Sequence, residues 1–186
     1  MKKALLEQIP SNAKRILDLG TGDGKLLALT KSVNPQAEGI GLDFSEPMLK
    51  LAKERFAKDK LVKIIKHDLN IPLPAAQLGC FDVVVSSLAI HHLVHKRKKQ
   101  LYKEIFDLLN PGGVFCNLEH VASPTESLHQ KFLAAVGLTP ITDDPSNKLL
   151  DVETQLQWLR EIGFIDVNCS WKWLEVALLV GFKVSK

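Results

Sequence analysis

The stretch that most constrains this chain is Ile16-Leu17-Asp18-Leu19-Gly20-Thr21-Gly22-Asp23-Gly24. A short apolar run enters a glycine-rich turn, and a helical pattern begins at about Lys25. Glycine tolerates the backbone angles of such a turn and lets a ligand approach the main chain. A helix that starts there aims its unpaired N–H groups back at the turn, ready for a polar or anionic group. A second apolar run, Ile40-Gly41-Leu42, then ends in Asp43. The interval of about 20 residues is the one at which a Rossmann-type site sets an acid on a ribose hydroxyl pair. Strand, helix and second strand make one βαβ unit, and a unit with these features binds a nucleoside-like cofactor.

The third glycine narrows the choice. A dinucleotide fingerprint reads G-x-G-x-x-G and seats a pyrophosphate on the helix start. Here the order is Gly20-Thr21-Gly22-Asp23-Gly24, and Lys25 stands where that fingerprint wants glycine. Asp18 and Asp23 put carboxylates around the turn, which repel a pyrophosphate and suit a cationic ligand. An acid before the loop, G-x-G-x-G, and an acid closing the second strand resemble the class I S-adenosylmethionine-dependent methyltransferases.

The rest of the chain agrees. Arg15 to Asp18 reads as the first strand, with a helix to about Val33; Glu38 to Asp43 is the second, followed by a helix with Ser45 as N-cap and Pro47 in its first turn. Val62 to Ile65 gives a third strand, ending in His67-Asp68-Leu69, and Pro72 and Pro74 open a loop to Gly79. Phe81-Asp82-Val83-Val84-Val85 is an apolar run of the kind buried on both faces of a parallel sheet. Ser86-Ser87-Leu88-Ala89-Ile90-His91-His92-Leu93 turns into a helix from His95 to Leu109, which Asn110-Pro111-Gly112-Gly113 breaks before a strand at Val114 to Leu118. Thr125 to Val136 and Val152 to Ile162 read as helices, joined by a polar loop. Two final strand-like runs, Phe164 to Cys169 and Val176 to Val180, lie too close together for a helical crossover and should pair antiparallel.

Alternating strands and helices predict an α/β fold: a three-layer αβα Rossmann-like sheet, mostly parallel, seven-stranded, closed by an antiparallel C-terminal strand. At 186 residues we expect one domain over 1–186, with a short N-terminal helix at 2–9 and an acceptor-side insertion at about 122–150. No apolar run is long enough to span a membrane. The N-terminus lacks the apolar stretch of a signal peptide. Cys80, Cys116 and Cys169 are odd in number and widely spaced, as in idle thiols of a reducing cytoplasm. A net charge of +3 does not by itself imply nucleic acid.

The resemblance extends from Arg15 to Lys183 and rests on four motifs in order: Leu17 to Gly24, Gly41-Leu42-Asp43-Phe44-Ser45, His67-Asp68, and Phe81 to Leu88. Leu108-Leu109-Asn110-Pro111-Gly112-Gly113 and Leu159-Arg160-Glu161-Ile162-Gly163-Phe164 match later landmarks. It implies S-adenosylmethionine as cofactor and S-adenosylhomocysteine as product. Gly20, Thr21, Gly22 and Gly24 would form the turn under the methionine part, which Asp18 helps position through its ammonium or through the loop. Asp43 would accept both ribose hydroxyls, Phe44 and Met48 would flank the adenine, and Asp68 would accept from the adenine amino group beside the Leu69 backbone. Ser86, Ser87 and Leu88 would line the cofactor. The family's longer N-terminal helices, which lie over the cofactor, have little counterpart in Lys2 to Ile9. That leaves the cover to another segment, a partner subunit or nothing.

The reactive methyl group of such a cofactor asks the protein mainly for alignment, worth up to about 7–11 kcal/mol. A base is needed only where the acceptor loses a proton. His91 and His92 are the candidates, since histidine titrates near neutrality. His91, His92 and His95 lack a carboxylate in ligand register, so no metal is expected. Ser86-Ser87-Leu88-Ala89 is not the Asn/Asp-Pro-Pro-aromatic motif of base-amine methylation, and no Pro-Cys pair supplies a thiolate nucleophile. Lys96-Arg97-Lys98-Lys99 reads as a solvated face beside the stripe Leu101, Ile105, Leu108, and is the only sequence support for nucleic acid. Glu119, His120, Trp171 and Trp173 are weaker candidates for an acceptor pocket. The expectation is a methyltransferase acting on a small-molecule acceptor. The alternatives are a tRNA-modifying methyltransferase, a non-catalytic cofactor-binding domain that needs a partner, and, disfavoured by Lys25, an NAD-dependent oxidoreductase.

Overall fold

The computed structural model describes residues 1–185. Its elements, in chain order, are α1 (Lys2–Leu6), β1 (Arg15–Leu19), α2 (Lys25–Lys31), β2 (Glu38–Asp43), α3 (Glu46–Arg55), β3 (Val62–Lys66), α4 (Ala75–Leu78), β4 (Phe81–Ser87), α5 (His95–Leu108), β5 (Leu109–His120), α6 (Glu126–Ala135), α7 (Val152–Ile162), β6 (Ile165–Trp173) and β7 (Val176–Phe182). A single 3-10 turn, Ile90–His92, joins β4 to α5.

Seven strands form one sheet in the order β3-β2-β1-β4-β5-β7-β6. The first five are parallel, while β7 runs antiparallel to both β5 and β6. Apolar side chains leave the central strands toward both faces. One core takes Leu17, Leu19, Leu42, Val84 and Phe115 with Leu101, Tyr102 and Ile105 of α5 and Leu159 of α7. The other takes Ile16, Val83, Val85, Val114 and Cys116 with Leu5 of α1 and Leu27 of α2. Two buried faces explain the continuous apolar reading of β4. No helix among the described residues is long and apolar enough to cross a membrane.

Four local expectations are corrected. The segment Asn110-Pro111-Gly112-Gly113 does not separate helix from strand, because β5 already begins at Leu109 opposite Phe81 and takes up an irregularity before Val83 pairs with Val114. Gly112 at φ +78° and the bonds Gly112 N–H to the Lys183 carbonyl and Lys183 N–H to the Gly113 carbonyl carry the bulge. The short N-terminal helix stops at Leu6, and α2 stops at Lys31. The run Lys96 to Lys99 is only half a solvated face: Arg97 and Lys98 are buried, while Lys96 and Lys99 are exposed. Arg97 forks onto Glu104 at 2.5 and 2.9 Å and donates to the carbonyls of Leu69 and Ile71. Lys98 donates to the Lys148 carbonyl, and Lys99 pairs with Glu161 at 2.7 Å.

The chain leaves β1 toward β2 and β3 and later leaves β4 toward β5, so the strand order reverses between β1 and β4. Above that point the turns after the two strands diverge and open a crevice at the carboxyl ends, where open α/β sheets bind their ligands.

Candidate cofactor and acceptor site

The turn after β1 is shaped by its glycines. Gly20, Gly22 and Gly24 all have left-handed backbone angles, φ +69°, +55° and +81°. A Cβ on Gly20 would come within 2.2 Å of the Ala89 Cβ, so the turn packs directly on the turn after β4. A Cβ on Gly22 would meet nothing within 4 Å; there the space is open, and a ligand can reach the main chain. Thr21 N–H bonds the Leu42 carbonyl, tying the turn to β2.

The two acids of the motif hold this turn from below and beside it. Asp18 is completely buried and accepts the Thr21 hydroxyl at 2.7 Å through Oδ2, while its Oδ1 has no partner. Burial raises its carboxyl to about 7; the Thr21 hydroxyl and the Leu27 N–H pull the other way, and Asp43 adds to the rise. Asp43 accepts from Gly22 N–H and from Ser45 N–H, each at 2.8 Å. Asp43 therefore caps the start of α3, a task the sequence assigned to the Ser45 side chain, which makes no capping bond. Each oxygen keeps acceptor capacity for a further hydroxyl. Asp23 turns away: its carboxylate pairs with Lys25 at 2.9 Å and Arg55 at 3.0 Å. These cations, the Lys25 bond foremost, hold it below the usual carboxylate range.

A cleft of about 740 Å³ lies over these groups. Of the sequence-predicted residues, Gly20, Gly22, Asp43, Phe44, Met48, Asp68, Leu69, Ser87, Leu88 and His92 line it. Phe44 and Met48 stand exposed at its rim. Asp68 accepts twice from Asn70 at 2.9 Å through Oδ1. Leu88 holds φ +49°, rare outside glycine, with its N–H on the Leu118 carbonyl and its side chain half exposed in the cleft. Such a backbone is sustained by its surroundings at a cost of about 1–3 kcal/mol and is found where a ligand is held.

Other predicted residues lie behind the cleft wall. Thr21 and Gly24 shape the turn from beneath, and Ser86 is buried and donates to the Leu19 carbonyl, locking β4 to β1 at 2.8 Å. His91 is buried too; its Nδ1 lies 2.9 Å from Glu119. Glu119 also accepts from the N–H groups of His91 and His120 and from Asn117. His120 and His129 bracket the buried Glu175 at 3.0 Å each. Glu119 and His120 thus serve buried networks beside the cleft, Trp171 packs on the core, and Trp173 touches Phe132.

The sequence missed His67, Asn70, Ala89, Leu93, Asp144 and Ser146, which also line the cleft. Asp144 and Ser146 belong to the strap between α6 and α7, which lies across the end nearest His92. Ser146 Oγ is 3.0 Å from His92 Nδ1. Lys148 N–H bonds the His91 carbonyl, and His95 Nε2 lies 3.2 Å from the Leu149 carbonyl. Partial burial, then the neighbouring His91, lowers the His92 pKa, with Asp144 opposing.

Comparison with known proteins agrees with this geometry. Residues 10–161 match the family described as "Methyltransferase domain". A demethylmenaquinone methyltransferase of Thermus thermophilus is 36% identical over 121 residues, 64% of this chain and 51% of that protein. A tRNA (carboxymethyluridine(34)-5-O)-methyltransferase of Arabidopsis thaliana is 35% identical over 112 residues, 59% of this chain and 24% of that protein. The chain spans about half the length, or less, of these curated relatives. An O-methyltransferase family protein from Burkholderia thailandensis has the same fold, with a TM-score of 0.77 at 20% identity, covering 98% of this chain and 54% of that one. Motifs, sheet order, cleft and family match converge: the chain belongs to the methyltransferase-domain family, within the S-adenosylmethionine-dependent class I methyltransferases.

Proposed function

We propose that this chain is a catalytic methyltransferase domain over 1–186 that methylates a small-molecule acceptor, with 122–150 as its acceptor-side insertion. The observation that carries the reading is the strap, whose Asp144 and Ser146 face His92, Leu88 and Leu93 across one end of the cleft.

The groups present fit S-adenosylmethionine. The open side of Gly22 and the Asp18–Thr21 bond suit the methionine part, Asp43 the ribose hydroxyls, and Phe44, Met48 and Asp68 the adenine. When bound, the cofactor supplies an electrophilic methyl group. The chain's own residues orient the acceptor, exclude water and take up its proton. His92 is the base in this reading: it lines the cleft, and its pKa is held below the usual histidine range, which favours the unprotonated ring. His91, turned into the Glu119 network, shapes the 3-10 turn on which His92 sits.

Against a tRNA substrate stands the fate of the basic run, since Arg97, Lys98 and Lys99 are spent on Glu104, Lys148 and Glu161. The test is transfer of labelled methyl groups from S-adenosylmethionine to two panels, neutral ring hydroxyls, quinols and amines in one and bulk tRNA in the other. Label in the first panel only is the expected result. Label in tRNA alone, weakening steeply with salt, would overturn the small-molecule assignment.

A further inference from the structure

The strap does more than cover the cleft. Ser146 lies 54 positions from His92 in the chain, yet its hydroxyl oxygen is 3.0 Å from His92 Nδ1. Among the described residues Ser146 is the one side chain hydrogen-bonded to the His92 ring, and its backbone also lies close enough to favour the protonated ring. A neutral imidazole carries its proton on one nitrogen only, and the partner of the other decides which. A hydroxyl can donate or accept, so the direction of this bond depends on where the Ser146 proton goes.

Asp144 supplies that destination. The Ser146 N–H bonds Asp144 Oδ1 at 2.8 Å, which folds the strap so that carboxylate and hydroxyl sit side by side. The two groups are close enough that Ser146 holds the Asp144 carboxyl below its usual range. A Ser146 proton drawn to that carboxylate would leave an oxygen lone pair for His92.

We propose that Ser146 is a positioning residue: it accepts the Nδ1–H of His92 and so leaves the Nε2 lone pair free to take the acceptor's proton. The proposal rests on the reading of His92 as base. The balance is simple. As the acceptor atom bonds to the methyl carbon, the methyl–sulfur bond breaks and its electron pair stays on sulfur. The acceptor's proton passes to Nε2. The resulting imidazolium keeps Nδ1–H on Ser146, faces the Asp144 carboxylate, and returns its proton to water after the product leaves. The other groups around the ring are the His91 ring, 4.0 Å away between centroids, and Glu119 beyond it, which His91 and Asn117 already engage. The strap's attachment by Lys98 and His95 keeps Ser146 in reach of the ring, so the cover over the acceptor and the alignment of its base are set by one segment.

The experiment is side-chain nitrogen-15 NMR of the full chain saturated with S-adenosylhomocysteine, comparing wild type with Ser146→Ala, Ser146→Thr and His92→Gln; the last assigns the His92 signals. Wild-type His92 should show a protonated Nδ1 and an unprotonated Nε2 above its pKa. Ser146→Ala should move most of the population to the Nε2–H form, and Ser146→Thr should restore the wild-type pattern. A wild-type His92 already protonated on Nε2, or a pattern unmoved by Ser146→Ala, overturns the proposal. Once an acceptor is found, kcat in Ser146→Ala should fall about tenfold or more, and the acid limb of its pH profile should shift. If kcat is instead unchanged in His92→Gln, the base assignment itself fails, whatever the tautomer result.

Discussion

Asp43 serves the fold and, in the function proposed for this chain, the cofactor as well. Its carboxylate already takes Gly22 N–H and Ser45 N–H, so it shapes the turn and caps α3 before any ribose arrives. Two further charge-assisted bonds at about 1.5 kcal/mol each amount to about 3 kcal/mol, or roughly 100-fold in affinity. Asp43→Ala should therefore raise the Kd for S-adenosylhomocysteine about 100-fold by calorimetry, and lower stability by about 1 kcal/mol through the lost cap. An unchanged Kd would remove Asp43 from the site. Asp18 gives a pH prediction. Its carboxyl is raised by burial to about 7 from 3.8. The folded chain therefore holds a proton that the unfolded chain releases, and the associated stability is full below pH 4 and lost as pH rises toward 7. An Asp18→Asn variant keeps its neutral group at every pH. The stability difference between variant and wild type should shift in favour of the variant by a few kcal/mol between pH 4 and 7 and level off above. A difference flat across that range would mean that Asp18 is ionised throughout.

At the scale of elements, α5 carries an unexpected load. Arg97 holds Glu104 and also the carbonyls of Leu69 and Ile71, so it fixes the loop after β3 where Asp68, Leu69 and Asn70 meet the cleft. Lysine has no planar fork to reproduce these bonds. Arg97→Lys should cost about 2–3 kcal/mol in denaturant unfolding and speed amide exchange in residues 68–73 more than elsewhere; uniform exchange would show that the loop stands without it. This role was legible in principle. Lys98 falls three positions before Leu101 and seven before Ile105, on the apolar stripe, and Glu104 follows Arg97 by two helical turns. Four consecutive cations suggested solvent more strongly than their positions suggested burial. The first four strands, the glycine turn and Asp43 were readable because local sequence determines them: apolar runs, punctuation by glycine, and fixed spacing within one βαβ unit. The start of β5 was not, because a proline-glycine bulge is held by Lys183, far along the chain. Asp144 and Ser146 were not readable for the same reason. A polar loop shows no periodicity, and only long-range bonds from His91, His95 and Lys98 to Lys148 and Leu149 bring it over His92.

For the whole molecule the question is whether this chain binds its cofactor unaided. The chain spans about half the length, or less, of the Thermus thermophilus and Arabidopsis thaliana relatives. Turn, acids, rim and strap all come from one chain and meet around one cleft of about 740 Å³. Nothing in the turn favours a dinucleotide, whose pyrophosphate would face Asp43 with Lys25 paired to Asp23. A ligand that binds only the folded state at about 100 times its Kd stabilises by roughly 2.7 kcal/mol, and for a chain of this size each kcal/mol moves Tm by about 2–4 °C. S-adenosylmethionine and S-adenosylhomocysteine at that excess should therefore each raise Tm by about 5–10 °C in differential scanning calorimetry. NAD should leave Tm in place, and Asp43→Ala should cancel the gain at the same ligand concentration. A rise with NAD alone would contradict the assignment of the glycine turn. No rise with any of the three would mean that the cleft, although built from this chain, needs a further segment or partner to close over the nucleoside.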